Sequence, residues 1–333
     1  MSLPSSEARV RENLLNADGA RGTPPSKILP MLLHVGTDQL RAEWVAAVAC
    51  VGTFDGVHLG HQALIRTAVE QAQASELPAV LITFDRHPLA ILAPDRCPKS
   101  IASLDESLAQ IAKLGIAATV VLLFDFELSQ MPAQAFLDRI LVSAARASSL
   151  VVGHDFAMGH GREGTADWLK ARIPTEVIQP FEVSGVRVSS SSIRKAVTDG
   201  DLAGARALLG RNFAISGVVA GGQKLGRKLG YPTANIARSF DQVLPLDGIY
   251  VARMETASGP YRAAASIGLR PAVGGGDRTI EAYLLDYPGD SLYGQPVRLE
   301  LIERLRDELS FDSLEALVVQ IEQDVATVRS HPS

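Results

Sequence analysis

The hydrophobic pattern changes its period near residue 212. From Leu32 to about Leu150, short apolar runs alternate with stretches of helical spacing. Val45–Val51, Ala79–Phe84, Ala118–Phe124 and a run resuming at Leu150–Gly153 read as strands. The stretches Gly60–Ser75, Ser103–Leu114 and Pro132–Ala145 read as helices. Strands separated by helices of this length predict βαβ units, hence an α/β domain with a parallel sheet covered on both faces. A helical connector is expected from about Ile193 to Leu209. Beyond Asn212 the runs Ala214–Ala220, Gly248–Met254, Ala263–Ile267, Thr279–Asp286 and Val297–Ile302 follow one another across Gly- and Pro-rich loops without helices. That pattern predicts an antiparallel barrel or sandwich. Leu314, Leu317, Ile321, Val325 and Val328 then form an apolar stripe, predicting a closing helix from Ser313 to Arg329 with Asp312 as N-cap and Glu315 three residues on. The expected organisation is an N-terminal arm over 1–30, a first domain over 31–197, a helical linker over 198–211 and a barrel domain over 212–333.

Composition narrows the classes. The 333 residues are 47% hydrophobic and 21% charged, enough for two ordinary cores. With 32 basic against 37 acidic residues the chain lacks the basic excess of a general nucleic-acid binder. Nucleic acid is therefore not an expected partner, whereas a small phosphorylated ligand needs only a local cluster of donors. No apolar run approaches the ~20 residues of a membrane span, and the first thirty residues lack a signal-peptide core. Cys50 and Cys97 have no metal-knuckle spacing and read as reduced thiols. A cytoplasmic enzyme of small molecules, with no membrane partner, is the expectation.

Candidate chemistry gathers in two parts of the chain, one in each predicted domain. In Gly52-Thr53-Phe54-Asp55-Gly56-Val57-His58-Leu59-Gly60-His61, a strand gives way to a helix. Glycines at 52, 56 and 60 let backbone approach a ligand, and a helix N-terminus suits a phosphate. His58 and His61 project from one helical face and can donate to phosphate oxygens; without their glycines they would read as plain surface or metal-binding histidines. In Ser189-Ser190-Ser191-Ser192-Ile193-Arg194, hydroxyls at a helix start with a guanidinium one turn later can bind phosphate or simply cap the helix. The second part opens on Gly222-Gln223-Lys224-Leu225-Gly226-Arg227-Lys228, which alone reads as a solvated turn and lacks Walker spacing. Thr233 and Asn235 follow, two apart and so on one face of an extended segment, a reasonable pair of oxygens for Mg²⁺ with ATP. Glu281 shares a strand face with Tyr283 and Leu285, a setting that suits a general base or an ordinary strand glutamate.

Together these motifs resemble the bifunctional riboflavin kinase/FMN adenylyltransferase family. The first half carries the HxGH-type segment, Thr83-Phe84-Asp85-Arg86-His87-Pro88, Pro94-Asp95-Arg96, Val152–Gly159 and Val188–Arg194. The second half carries Leu229–Asn235, Glu281–Asp286, Leu292-Tyr293-Gly294 and Leu305–Glu308. The resemblance implies a Rossmann-like nucleotidyltransferase followed by a Greek-key barrel kinase with a C-terminal helix. It implies that ATP is bound in the first domain by Gly52, Phe54, Asp55, Gly56, His58, Gly60, His61, Asp155, Ser189, Ser190 and Arg194, with His87, Pro88 and Arg96 towards the flavin. In the barrel it implies Gly222, Lys224, Gly226 and Arg227 around ATP, Thr233 and Asn235 on Mg²⁺, Glu281 as base, and Arg306 near the flavin. Riboflavin, FMN and ATP are the implied substrates. Arg86 stands where proline is usual, Ser191 where threonine is, and Arg270-Pro271-Ala272 where the family reads Arg-Pro-Thr. The rival readings are a chain that retains one activity, or a flavin- or nucleotide-binding regulator without turnover.

Overall fold

The computed structural model describes residues 31–36, 44–221, 230–269, 278–289 and 291–332. Among them, one compact unit is built from residues up to Pro98 together with Leu104–Glu182, and a second from Lys99–Ser103 with the residues from Val183 onward.

In the first unit β1 (Leu32–Val35), β2 (Ala47–Val51), β3 (Ala79–Phe84), β4 (Ala118–Leu122), β5 (Ala147–Gly153) and β6 (Thr175–Ile178) form one sheet in the order β1-β4-β3-β2-β5-β6. Every neighbouring pair is parallel. All five residues of β2 and of β4 are buried, because both sheet faces are covered. On one face Leu64, Ile65, Ala68 and Ala72 of α1 (Leu59–Ala74), with Leu108 and Ile111 of α2 (Leu104–Ala112), pack on Val48, Cys50, Leu81 and Val121. On the other face the π-helical stretch Phe136–Ala144 packs Phe136, Leu137, Ile140 and Leu141 on Ala47, Ala49, Val80 and Val120. Strand order reverses at β2, with β3 and β4 to one side and β5 and β6 to the other. Ligands of such sheets bind where this reversal opens a crevice at the carboxyl ends of the strands. One loop there is fixed by bare glycine backbone: Gly159 has φ +76°, and a Cβ on it would lie 2.5 Å from the Ala133 backbone.

In the second unit two helices stand where a single connector was expected. α3 (Ser190–Thr198) and α4 (Leu202–Leu209) are separated because Gly200 takes φ +78° and Asp201 caps α4, accepting the Gly204 N–H at 2.8 Å. Then β7 (Phe213–Ala220), β8 (Thr233–Ala237), β9 (Gly248–Thr256), β10 (Gly259–Leu269), β11 (Arg278–Leu284) and β12 (Pro296–Arg306) close a barrel in the order β7-β8-β11-β10-β9-β12. All neighbours are antiparallel. The consecutive strands β9, β10 and β11 with β8 returning beside β11 make a Greek key. Alternate residues such as Ala263, Ala265, Ile267, Ile280, Ala282 and Leu299 fill the interior.

The final helix, α5 (Leu314–Ser330), is capped by Ser313, which accepts the Ala316 N–H at 3.1 Å, and not by the expected Asp312. Extended backbone at Ser313 brings its hydroxyl, one residue later than expected, onto the first-turn amides. Leu314 stays 56% exposed, so the expected apolar stripe is covered only further along, where Val325 and Val328 pack on Val251, Ala264, Tyr283 and Leu285. A bidentate ion pair adds to this seam: Arg306 donates to both oxygens of Asp324 at 2.9 and 2.6 Å, and Gln320 donates to Asp324 at 3.0 Å.

Two substitutions test these constraints by denaturant unfolding. Asp324→Ala strands the sheltered Arg306 guanidinium and is expected to cost roughly 3 kcal/mol, the lower end for a withdrawn ion pair. Gly159→Ala is expected to cost at least about 1–3 kcal/mol through its left-handed backbone, with the Ala133 clash adding to it.

Candidate functional site

The first candidate site grows from the end of β2. Phe54, Gly56 and Val57 all adopt left-handed backbone, with φ of +44°, +75° and +41°. For a β-branched residue such as Val57 this costs of order 1–3 kcal/mol. The conformation persists because Phe54 and Val57 are 1% and 0% exposed, locked in the core beneath α1. Gly52 packs tightly here, since a Cβ on it would meet the buried Phe54 ring at 3.3 Å.

The loop delivers His58 to the N-cap of α1, where its Nδ1 accepts the His61 N–H at 3.2 Å. An accepting Nδ1 puts the proton of the neutral ring on Nε2. The rings of His58 and His61 stack with centroids 3.7 Å apart and planes 16° from parallel, so they project from one face as expected. His61 Nδ1 is shut off from solvent with no hydrogen-bond partner. Burial, and then the adjacent His58, hold the His61 pKa well below that of an ordinary histidine. His61 is therefore held as the neutral imidazole near neutrality. An anion brought to this helix end meets first-turn amides, the positive end of the helix dipole and imidazole donors.

Two further segments emerge at carboxyl ends of neighbouring strands. After β5, His154 donates its N–H to the Ile178 carbonyl at 3.0 Å, and the Asp155 side chain is 77% exposed, with its carbonyl accepting from Arg162 at 3.0 Å. After β3, the Asp85 carboxylate is only 4% exposed; it accepts the Phe124 N–H at 2.8 Å and two bonds from Arg86, at 2.8 and 2.7 Å. His87 Nδ1 accepts the Leu89 N–H at 3.1 Å and, with Pro88, starts the short helix Leu89–Leu92. Arg96 is exposed at the end of the turn Pro94–Arg96. Because the strands are parallel, the Gly52–His61 segment, Asp155 and His87 all belong to one edge of the sheet. Asp85 was not singled out from sequence; the available signal was an acid directly after a buried strand whose one polar residue is Thr83.

Ser189, Ser190 and Arg194 belong to the second unit, at the start of α3. Ser189 is the N-cap: its hydroxyl accepts the Ser192 N–H at 3.1 Å and lies 2.8 Å from Ser192 Oγ. Arg194 Nε donates to the Lys99 carbonyl at 2.6 Å.

The other candidate site lies on the outside of the barrel. Register places Thr233 opposite Tyr283 and Asn235 opposite Glu281, and directly opposed residues share a face. Thr233 Oγ1 donates to Glu281 Oε2 at 3.0 Å. Tyr231 meets Tyr283 edge to face, with ring centroids 5.2 Å apart. Thr233, Asn235 and Glu281 are half-buried, interleaved with the interior residues Ala234, Ile236, Ile280 and Ala282. Arg306 donates to Asp324, as described above. Gly222, Lys224, Gly226 and Arg227 lie outside the described residues, as do Arg270, Pro271 and Ala272. Among the described residues no group of three or more His, Cys, Asp or Glu side chains could hold a metal. Thr233 and Asn235 instead offer two neutral oxygens beside a carboxylate, a donor set that fits Mg²⁺ when phosphates and water complete the shell.

A family model for FAD synthetase matches residues 40–192 and one for riboflavin kinase matches residues 209–331. The bifunctional riboflavin kinase/FMN adenylyltransferase of Escherichia coli strain K12 is 38% identical over 288 residues, covering 85% of this chain and 91% of the relative. Its namesake from Pseudomonas fluorescens is 38% identical over 306 residues, covering 90% and 97%. A solved structure from Streptococcus pneumoniae, described as a macrolide-efflux protein, superposes with a TM-score of 0.81 at 30% identity, over 91% of this chain and 100% of that one. Among the described residues here, no helix is long and apolar enough to cross a membrane. With a parallel sheet under the first match, a closed antiparallel barrel under the second and relatives that align across both, the chain belongs to the bifunctional riboflavin kinase/FMN adenylyltransferase family.

Proposed function

We propose that this chain converts riboflavin to FMN in the barrel and FMN to FAD in the α/β domain, using one ATP in each step. The observation that carries the reading is that each matched region has its own set of polar groups: His58 and His61 at the strand reversal of the sheet, and Thr233, Asn235 and Glu281 on one face of the barrel.

In the kinase step, Glu281 takes the proton of the riboflavin terminal hydroxyl as that oxygen attacks the γ-phosphorus, and ADP leaves. Thr233 donates to one carboxylate oxygen of Glu281 and so turns the other towards the hydroxyl. Thr233 and Asn235 would also hold Mg²⁺, which supplies charge neutralisation for the phosphates when bound. In the adenylyl transfer, the FMN phosphate attacks the α-phosphorus of ATP and pyrophosphate leaves. An FMN phosphate is already anionic, so the step needs no general base. The demand is for donors to the charge growing on the α-phosphoryl and leaving oxygens, a role that suits His58 Nε2–H, His61 and the α1 amides. His87, Pro88 and Arg96 are assigned to the flavin side, Asp155 to the nucleoside side, and Ser189, Ser190 and Arg194 to phosphate. The partners are small molecules and the compartment is the cytoplasm.

Chromatography of flavins, with either riboflavin or FMN supplied together with ATP and Mg²⁺, separates the two activities. His58→Ala is expected to lower FAD formation roughly 100-fold or more while FMN formation is unchanged. Glu281→Gln is expected to lower FMN formation roughly 100- to 10,000-fold and to leave FAD formation from supplied FMN intact. If either substitution silenced both reactions in a folded protein, independent sites would be refuted. The histidine pair also imposes a pH dependence. The folded-state pKa of His61 is depressed, so its contribution is fully present above the ordinary histidine value near 6.5. It is lost as pH falls below that value towards the folded pKa, because the unfolded chain then binds a proton the folded chain refuses. Denaturant midpoints at pH 7.5 and at lower pH are expected to diverge less in His61→Asn than in the native chain.

A further inference from the structure

One row of outward-facing residues crosses the barrel from the proposed nucleotide side to the proposed flavin side. The strand registers set Asn235 opposite Glu281, Glu281 opposite Ser266, Ser266 opposite Ile249, and Ile249 opposite Arg306. Directly opposed residues share a face, and all five are half-buried while the neighbouring Ala234, Ala265, Ile267, Ile280, Ala282 and Tyr250 fill the interior. Ser266 is therefore the side chain beside the proposed base, on the side away from Asn235.

That side is where the acceptor substrate must arrive. Thr233 reaches Glu281 from β8, and the proposed metal ligands stand on the same strand, so the phosphates occupy the β8 side. Transfer is in line, with attacking and leaving oxygens on opposite sides of the phosphorus. The attacking hydroxyl thus comes to Glu281 from the β10 side, over Ser266. The Glu308 carboxylate stands on the same face as Ser266, lying across Gly268, two residues further along β10, where it can take the Ser266 proton. A Cβ on Gly268 would sit 2.0 Å from Glu308 Oε1, so the missing side chain is what admits that carboxylate. A serine whose proton goes to a carboxylate presents its oxygen lone pairs outward, as an acceptor for a hydroxyl donor.

We propose that Ser266 is a specificity-determining residue of the kinase site, accepting a hydrogen bond from the riboflavin polyol hydroxyl adjacent to the terminal one that Glu281 deprotonates. Cβ atoms of directly opposed residues lie roughly 4.5–5.5 Å apart, which lets one vicinal diol touch both side chains. The proposal rests on Glu281 being the base of the kinase site and names what recognises the acceptor there.

The test uses the full chain and initial rates of FMN formation with riboflavin or 4′-deoxyriboflavin, ATP and Mg²⁺. In the native chain the deoxy compound is expected to show a KM about tenfold above that of riboflavin, the worth of one such hydrogen bond. Ser266→Ala is expected to raise the riboflavin KM by a similar factor. It should leave the ATP KM and the adenylylation of FMN unchanged, and add nothing to the KM of the deoxy compound. Ser266→Thr is expected to restore riboflavin binding. Equal KM values for the two flavins in the native chain would overturn the assignment, as would a parallel rise in the ATP KM or full additivity of the two deletions. A native chain that makes no FMN, or a Glu281→Gln chain that still does, would instead sink the kinase-site reading, and the role of Ser266 with it.

Discussion

A parallel sheet buried on both faces leaves little room for charged side chains along its central strands. In the first unit this constraint decides where chemistry can occur. β2 and β4 are apolar or small throughout, with Thr119 as the one hydroxyl between them, and the charged and imidazole groups of the candidate site come only after β2, β3 and β5 have ended. His58, Asp85 and Asp155 all come within a few residues of a carboxyl terminus of a strand. The loop after β2 satisfies a second demand, turning sharply enough to aim the first turn of α1 outward. It does so with three left-handed residues, two of them pinned by their own buried side chains. The stacked imidazoles follow from that aim, and burial, then the adjacent His58, keeps His61 uncharged.

The barrel solves the same problem with the opposite geometry. Its strands alternate, so each carries one face for packing and one for chemistry. Thr233, Asn235, Glu281 and Ser266 occupy outward positions of three adjacent strands, and no loop is needed to bring them together. What would leave them on open surface is prevented by α5, whose Val325 and Val328 roof the neighbouring apolar positions, joined by the Arg306–Asp324 pair.

Much of this was legible in the order of residues. Periodicity marked β2, β3, β4 and most barrel strands, and glycine-flanked histidines marked the loop after β2. The family resemblance supplied the pairing of Thr233 and Asn235 with Glu281, and register now sets Asn235 and Glu281 face to face. The misses have physical causes. The edge strand β6, Thr175–Ile178, is short and half-exposed, so no apolar run announced it. The break between α3 and α4 rests on one glycine and one aspartate that helical spacing alone overlooks. Asp85 and Ser266 carry no periodic signal: the importance of each comes from what lies opposite it in space, the Phe124 amide for one and Glu281 for the other.

The left-handed backbone at Phe54 and Val57 ties the order of thermal failure to the core beneath α1. Those torsions are unfavourable by themselves and endure only while the two side chains remain packed. When heating loosens that packing, the loop gains by relaxing before the strands have any reason to separate. Inactivation of adenylyl transfer would then precede melting of the sheet, and a cavity made as far away as Ile65 would be felt first as lost turnover and only later as lost fold.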